Sequence, residues 1–338
     1  MTAALPATPN VNHFKWLAFT AALMTYLLGV SGGIVRVGGA GAACGDEWPL
    51  CAGQLLAWLD GPLLLNSLHR VATMLATLLI LGTAFEAWRG YRRVRWIVWP
   101  ALGALAALVV ALLLGAAMAP GRSPALGVVH LANALILLAL LLVVTVVAFQ
   151  LKRNPHIGGA LLHFDALSRL TGAAALGVFA VIIAGAVVNV YRAQLACADW
   201  PLCGGDVAPA TVLGLIHMGH RYAAGAAGLL VGAAVGQAWR LRRESLPVVA
   251  SAAGAGLLFG AQVLVGAAGV RRGLPPSLVH LHFALALAAW AGMVVFAVLS
   301  LHYVRLAPLK FAVPAPARLK PQMAAAFWDI ICPPHPIL

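Results

Sequence analysis

Apolar residues in this chain gather in long unbroken blocks, with no alternation at period two and no narrow stripe on an otherwise polar helix. The blocks cover about 14–36, 63–88, 96–119 and 125–149, then about 168–190, 211–239, 247–270 and 277–304. Each is long enough, at about 1.5 Å per residue, to cross a hydrocarbon layer of about 30 Å. A membrane barrel would need dyad alternation, and lipid cannot satisfy the backbone of anything but a helix or a closed barrel. The pattern therefore predicts an all-α polytopic membrane protein with eight transmembrane helices. Composition agrees: 62% of the 338 residues are hydrophobic, 9% are charged, and mean hydropathy is +0.95.

The polar positions between these blocks repeat. Cys44-Gly45-Asp46-Glu47-Trp48-Pro49-Leu50-Cys51 is followed by His69-Arg70 and then His130. Cys197-Ala198-Asp199-Trp200-Pro201-Leu202-Cys203 is followed by His220-Arg221 and then His280. The offset between the copies stays near 150 residues, as a duplicated unit requires. The expected organisation is two duplicated four-helix bundles, residues 1–153 and 154–304, with a Pro-rich tail over 305–338.

Charge then orients the bundle. The formal net charge is +13, and most of its basic residues border the helices on one side. Arg89, Arg92, Arg93 and Arg95 lie between helices two and three, Lys152 and Arg153 between four and five, Arg240, Arg242 and Arg243 between six and seven, and Arg305 and Lys310 after eight. By the positive-inside rule those loops and both termini face the cytoplasm. The opposite loops hold Asp46, Glu47, Asp60, Asp199 and Asp206, with Arg271 and Arg272 as a minor exception. Cations scattered over separate loops do not form a nucleic-acid surface, so that class of partner is excluded and membrane lipid takes its place. The first apolar block is long enough to span and is expected to act as its own uncleaved insertion signal, in a cell (plasma) membrane.

This topology puts both cysteine pairs on the outer, oxidising side, where Cys44–Cys51 and Cys197–Cys203 disulfides are expected. Closing such short loops contributes about 2–3 kcal/mol in the chain-entropy account. Each bridge is either a plain staple or the fastening of a lid over the nearby histidines, with a redox or transfer role. Gaps of this length do not match the short knuckles of structural zinc sites. Cys332 is expected to be a free thiol in the cytoplasmic tail.

Four histidines carry the chemistry. His69 falls about 9 Å down helix two, and His130, His220 and His280 lie at similar depths on helices four, six and eight. Ionisable groups inside a bilayer are costly and face a cavity or a partner. Two neutral imidazoles from facing helices can clamp a haem iron from both sides, which pairs His69 with His130 and His220 with His280. Arg70, Arg221 and Arg36 are candidate partners for the haem propionates, with snorkelling to the interface as the alternative. His282 lies two residues beyond His280 and so points to another helix face, which favours His280 as the counterpart of His130. His156 and His163 belong to a cytoplasmic loop, and His13, His302 and His335 have no evident partner.

Taken together, Gly32-Gly33-Ile34-Val35-Arg36, the two Trp-Pro-Leu-Cys runs, both His-Arg pairs, His130-Leu131 and His280-Leu281 resemble the haem A synthase family over about residues 15–304. The resemblance implies oxidation of the C8 methyl group of haem O to the formyl group of haem A, by successive hydroxylation to a geminal diol that loses water. It implies a haem b in the C-terminal half, on His220 and His280, and haem O as substrate in the N-terminal half, on His69 and His130. Electrons would leave through the haem b to an acceptor that the sequence does not name. Haem O synthase and cytochrome oxidase assembly factors are the protein partners to expect.

One position departs from the family. A glutamate is usual three residues before the first His-Arg, where a carboxylate could accept a proton; here that residue is Asn66, which cannot act as a base, and the duplicate position is His217. A non-catalytic b-type membrane cytochrome and a haem carrier are the other classes compatible with paired histidines. The tail is rich in proline, with an apolar run from Met323 to Ile331 that could rest at the interface.

Overall fold

The computed structural model describes residues 10–45, 47–57, 61–118, 125–153 and 164–301. Its eight long helices are α1 (Val11–Val37), α2 (Gly61–Gly90), α3 (Arg95–Ala117), α4 (Ala125–Arg153), α5 (Ala166–Val190), α6 (Val212–Arg242), α7 (Leu246–Arg271) and α8 (Pro276–Leu301). Side-chain caps set several starts. Asn10 accepts from the backbone N–H of Asn12 and His13, Asp165 from that of Ser168, and Thr211 from that of Gly214. Asp165 also pairs with Arg242, tying the start of α5 to the end of α6.

Seven of these helices are long and apolar enough to cross a membrane, so the chain is a polytopic all-α membrane protein. The exception is α6. It is 31 residues long, but His217, His220 and Arg221 near its start and Arg240 and Arg242 at its end dilute its apolar run. The expectation of eight apolar spans is thus met by seven helices on composition, with α6 matching the others in length alone. Exposed leucines along the helices, such as Leu229 at 78%, have no protein partner and suit a lipid surround.

Neighbour packing closes α1–α4 into one ring and α5–α8 into another, and α8 lies against both α1 and α4. Small residues let the backbones approach: Ala21 and Ala22 of α1, Ala76 of α2 and Ala104 of α3 pack with Ile80, Leu137 and Leu141 in one buried cluster. Trp290 of α8 donates its indole N–H to the Leu135 carbonyl of α4 (2.9 Å), and the Tyr26 hydroxyl of α1 donates to the Ala284 carbonyl of α8 (3.3 Å). Polar atoms therefore fasten α8 across to the first ring.

The two cysteine loops fold alike. Disulfides join Cys44 to Cys51 and Cys197 to Cys203. Each loop has a cis Trp-Pro bond, at Trp48-Pro49 and Trp200-Pro201, and a bridge after its second cysteine, Cys51 to Gln54 and Cys203 to Asp206. A short 3-10 turn precedes each loop, Ala40–Ala42 and Ala193–Leu195. The expectations for Asp46, Asp60, His156, His163, His302, Arg305, Lys310, Cys332, His335 and the tail lie outside the described residues.

Candidate functional site

All four helices that follow a cysteine loop or its partner hairpin, α2, α4, α6 and α8, present a histidine within about three turns of their N-termini. On α2, His69 lies against α1. An added Cβ at Gly32 would come 3.0 Å from its Cε1 atom, so only glycine leaves the ring its place. Ser31 Oγ is 2.9 Å from His69 Nδ1 and donates its own proton to the Leu28 carbonyl. A serine hydroxyl has one proton to give, so Oγ must accept from Nδ1–H. That tautomer leaves His69 Nε2 with a free lone pair, the form that binds iron.

His130 of α4 faces Gly115 of α3, whose added Cβ would lie 3.9 Å from its Cε1. Its ring turns toward the Ala111 carbonyl, although Nδ1, which is buried, forms no hydrogen bond of good geometry. His69 and His130 are close enough for their charges to interact. Beside them, the Arg36 guanidinium lies directly over Gly127, one turn before His130, in the space that a Cβ would fill. The Arg36 guanidinium makes no hydrogen bond or ion pair with any described residue.

The second ring repeats this layout with one difference. His220 of α6 lies against Gly185 of α5 (3.0 Å to an added Cβ), as His69 lies against Gly32. The histidine that faces it from α8 is His282. Its charge couples to that of His220, its ring abuts Gly266 of α7 (2.7 Å to an added Cβ), and it bonds Gln262. His280 makes no such approach, and its Nε2 is buried without a hydrogen bond.

The burial pattern gives the reason. Leu135, Leu138, Leu141, Val144 and Val146 of α4 are buried, and Leu287, Trp290, Met293, Phe296 and Val298 of α8 are buried at the offset that separates His282 from His130. The two His-Leu pairs align the chain two residues away from this register. Two residues on a helix is about 200°, enough to turn a side chain to the opposite face.

The arginines that follow His69 and His220 meet the cysteine loops. Arg70 donates through Nη1 to the Glu47 and Leu50 carbonyls, through Nη2 to that of Gly45 (2.7 Å) and through Nε to Asn66 Oδ1 (3.2 Å). Arg221 donates to the carbonyls of Pro201, Leu202 and Cys197 (3.0–3.2 Å). Both guanidinium groups fasten a cysteine loop to the helix beneath it. Asn66 extends the clamp, its amide donating to the Ala40 and Gly41 carbonyls of the 3-10 turn (2.7 and 3.0 Å). His217, in the duplicate position, stands 3.4 Å from Arg221 and close to the Ala193 carbonyl of the other turn.

Sequence reasoning passed over Ser31, Gln262, Gly115, Gly185 and Gly266, and took Gly32 only as part of a motif. The glycines left a signal: Gly32 and Gly185, and Gly115 and Gly266, recur at the offset of the repeat. No cluster of three or more metal-ligating side chains occurs among the described residues.

A polytopic all-helical membrane protein with two disulfide-closed loops and histidines near the starts of α2, α4, α6 and α8 is the class that the fold defines. The model of the COX15-CtaA family, described as cytochrome oxidase assembly protein, matches residues 63–215 and 210–332, and the chain belongs to that family. It is similar to curated proteins named heme A synthase. Those of Bacillus cereus (strain AH187) and Bacillus anthracis (strain A0248) are each 29% identical to it over 216 residues, which is 63% of this chain and 69% of the relative. The heme A synthase of Bacillus thuringiensis subsp. konkukian (strain 97-27) matches to the same extent.

Proposed function

We propose that this protein is a haem A synthase, an integral membrane oxidoreductase that converts the C8 methyl group of haem O to a formyl group. Family membership and the names of the relatives support the reaction. The observation that carries the haem assignment is the facing of His69 with His130 and of His220 with His282, each ring seated against a glycine.

In this reading His69 and His130 hold haem O as substrate, and His220 and His282 hold a resident haem b. Iron porphyrin supplies the redox chemistry, and the chain supplies position. Ser31 fixes the His69 tautomer. Arg36, with its donors free of other described residues, is placed for a propionate of the first site, and its fork geometry suits a carboxylate. Arg70 and Arg221 keep the loops closed over the pairs and so limit water.

The charge pattern supports a plasma-membrane orientation with both cysteine loops outside and both termini inside, and the repeated loop geometry supports a duplication of four-helix units. Eight crossings follow, with α6 among them. Electrons pass to an acceptor outside the chain, and haem O synthase and cytochrome oxidase assembly factors are its expected neighbours.

The test is expression in a host that makes haem O but not haem A, followed by haem extraction. The wild-type chain should yield haem A, and His69→Ala or His130→Ala should leave haem O. Haem O alone from the wild type would overturn the assignment.

A further inference from the structure

The two histidine pairs differ most at one neighbour. His282 Nδ1 lies 3.1 Å from the backbone carbonyl of Gln262, and His282 Nε2 lies 3.1 Å from the side-chain Nε2 of the same residue. A carbonyl can only accept, so Nδ1 carries the proton. The carboxamide N–H then donates to the Nε2 lone pair, and a single neutral tautomer satisfies both bonds. That lone pair is the one an iron would need. The carboxamide oxygen of Gln262, on the other side, is buried with no hydrogen bond.

The first pair has no such cover. The carbonyl toward which His130 turns belongs to Ala111, which sits one turn before Gly115 as Gln262 sits one turn before Gly266. Ala111 is thus the counterpart of Gln262, and it has no side chain able to reach an imidazole nitrogen.

We propose that Gln262 is a positioning residue of the second pair: its backbone carbonyl sets the His282 tautomer, and its carboxamide caps the iron-binding nitrogen until an incoming haem displaces it. The inference rests on the haem reading above. The cap keeps His282 aimed and neutral when no haem is present. It is poised to leave, because half of its hydrogen-bonding capacity is unused. Only the second site carries it, so uptake there has a step that the first site lacks.

The experiment uses full-length protein purified without haem, in a His69→Ala background so that only the second pair gives a bis-imidazole spectrum. Haem b is added and the low-spin absorbance followed in stopped flow. Losing one net hydrogen bond corresponds to about a fivefold change, so Gln262→Ala and Gln262→Leu should each take up haem about fivefold faster. Both keep the backbone carbonyl, so the final spectrum should match that of the unsubstituted chain. Gln262→Asn, too short to reach, should behave like alanine.

Uptake at an unchanged or slower rate in both Gln262→Ala and Gln262→Leu would overturn the cap. Nitrogen NMR of the haem-free protein gives a second measurement: His282 should be protonated at Nδ1, and protonation at Nε2 would also overturn it. His282→Ala should abolish the spectrum and His280→Ala should retain it. Absence of a bis-imidazole spectrum from the unsubstituted second pair, with the NMR assignment intact, would instead sink the haem reading while leaving the tautomer assignment standing.

Discussion

A guanidinium beside a ligand histidine reads, in sequence, as a partner for a carboxylate. In the folded chain Arg70 and Arg221 meet backbone carbonyls of the cysteine loops, which offer the same acceptor chemistry without the charge. Residue types alone do not separate the two cases, because the loop that supplies the carbonyls comes close only after folding. The same holds for Asn66. Sequence marks it as a missing base, while the fold uses it as a clamp on Ala40, Gly41 and Arg70. Asn66→Ala is therefore expected to lower stability by about 1–3 kcal/mol, since it removes two hydrogen bonds to the 3-10 turn together with the acceptor of Arg70 Nε. A thermal melt of the purified protein checks this, and the ratio of haem products should not move. Asn66→Glu is expected to lower the melt as well while raising the share of fully oxidised haem, because a carboxylate cannot donate to those carbonyls yet can accept a proton.

At the scale of elements, the helices were legible from their apolar blocks, and the observed bounds fall within a few residues of the expected ones. What the blocks could not supply was rotation about each axis. The choice between His280 and His282 depends on which face of α8 is buried, and a helix apolar on every side carries no stripe to reveal it. The burial register that α8 shares with α4 favours His282. Close approach of neighbouring helices is likewise set by single glycines. Gly32→Ala should push the His69 ring and Gly185→Ala the His220 ring, each by a few tenths of an ångström or more. The expected outcome is site-selective: Gly32→Ala weakens haem binding at the first pair only, and Gly185→Ala at the second only. Haem titration in backgrounds that lack one pair separates them. Equal loss at both sites from either substitution would contradict the independence of the two rings.

For the whole molecule, the sequence repeat is seen again in the two cysteine loops, which fold alike, and in sequence the copies differ beside their His-Arg pairs at Asn66 and His217. The structure adds the contrast of Ala111 with Gln262, and a guanidinium over Gly127 beside one pair alone. These differences sit in van der Waals contacts between helices that are distant in sequence, so no local pattern announces them. One further consequence belongs to biogenesis. Arginine within a lone helix opposes its insertion, most of all near mid-membrane, and α6 brings Arg221 and two histidines with few strongly apolar residues to offset them. Its neighbour α5 is joined to it at both ends, by its packing and by the Asp165–Arg242 pair. We expect α6 alone, in a translocon reporter with glycosylation sites on either side, to pass through the membrane without stopping, and α5 with α6 to integrate as a hairpin. The polar residues of this helix thus make it dependent on a companion at birth, and substitutions that weaken α5 should appear first as lost protein, before any loss of turnover.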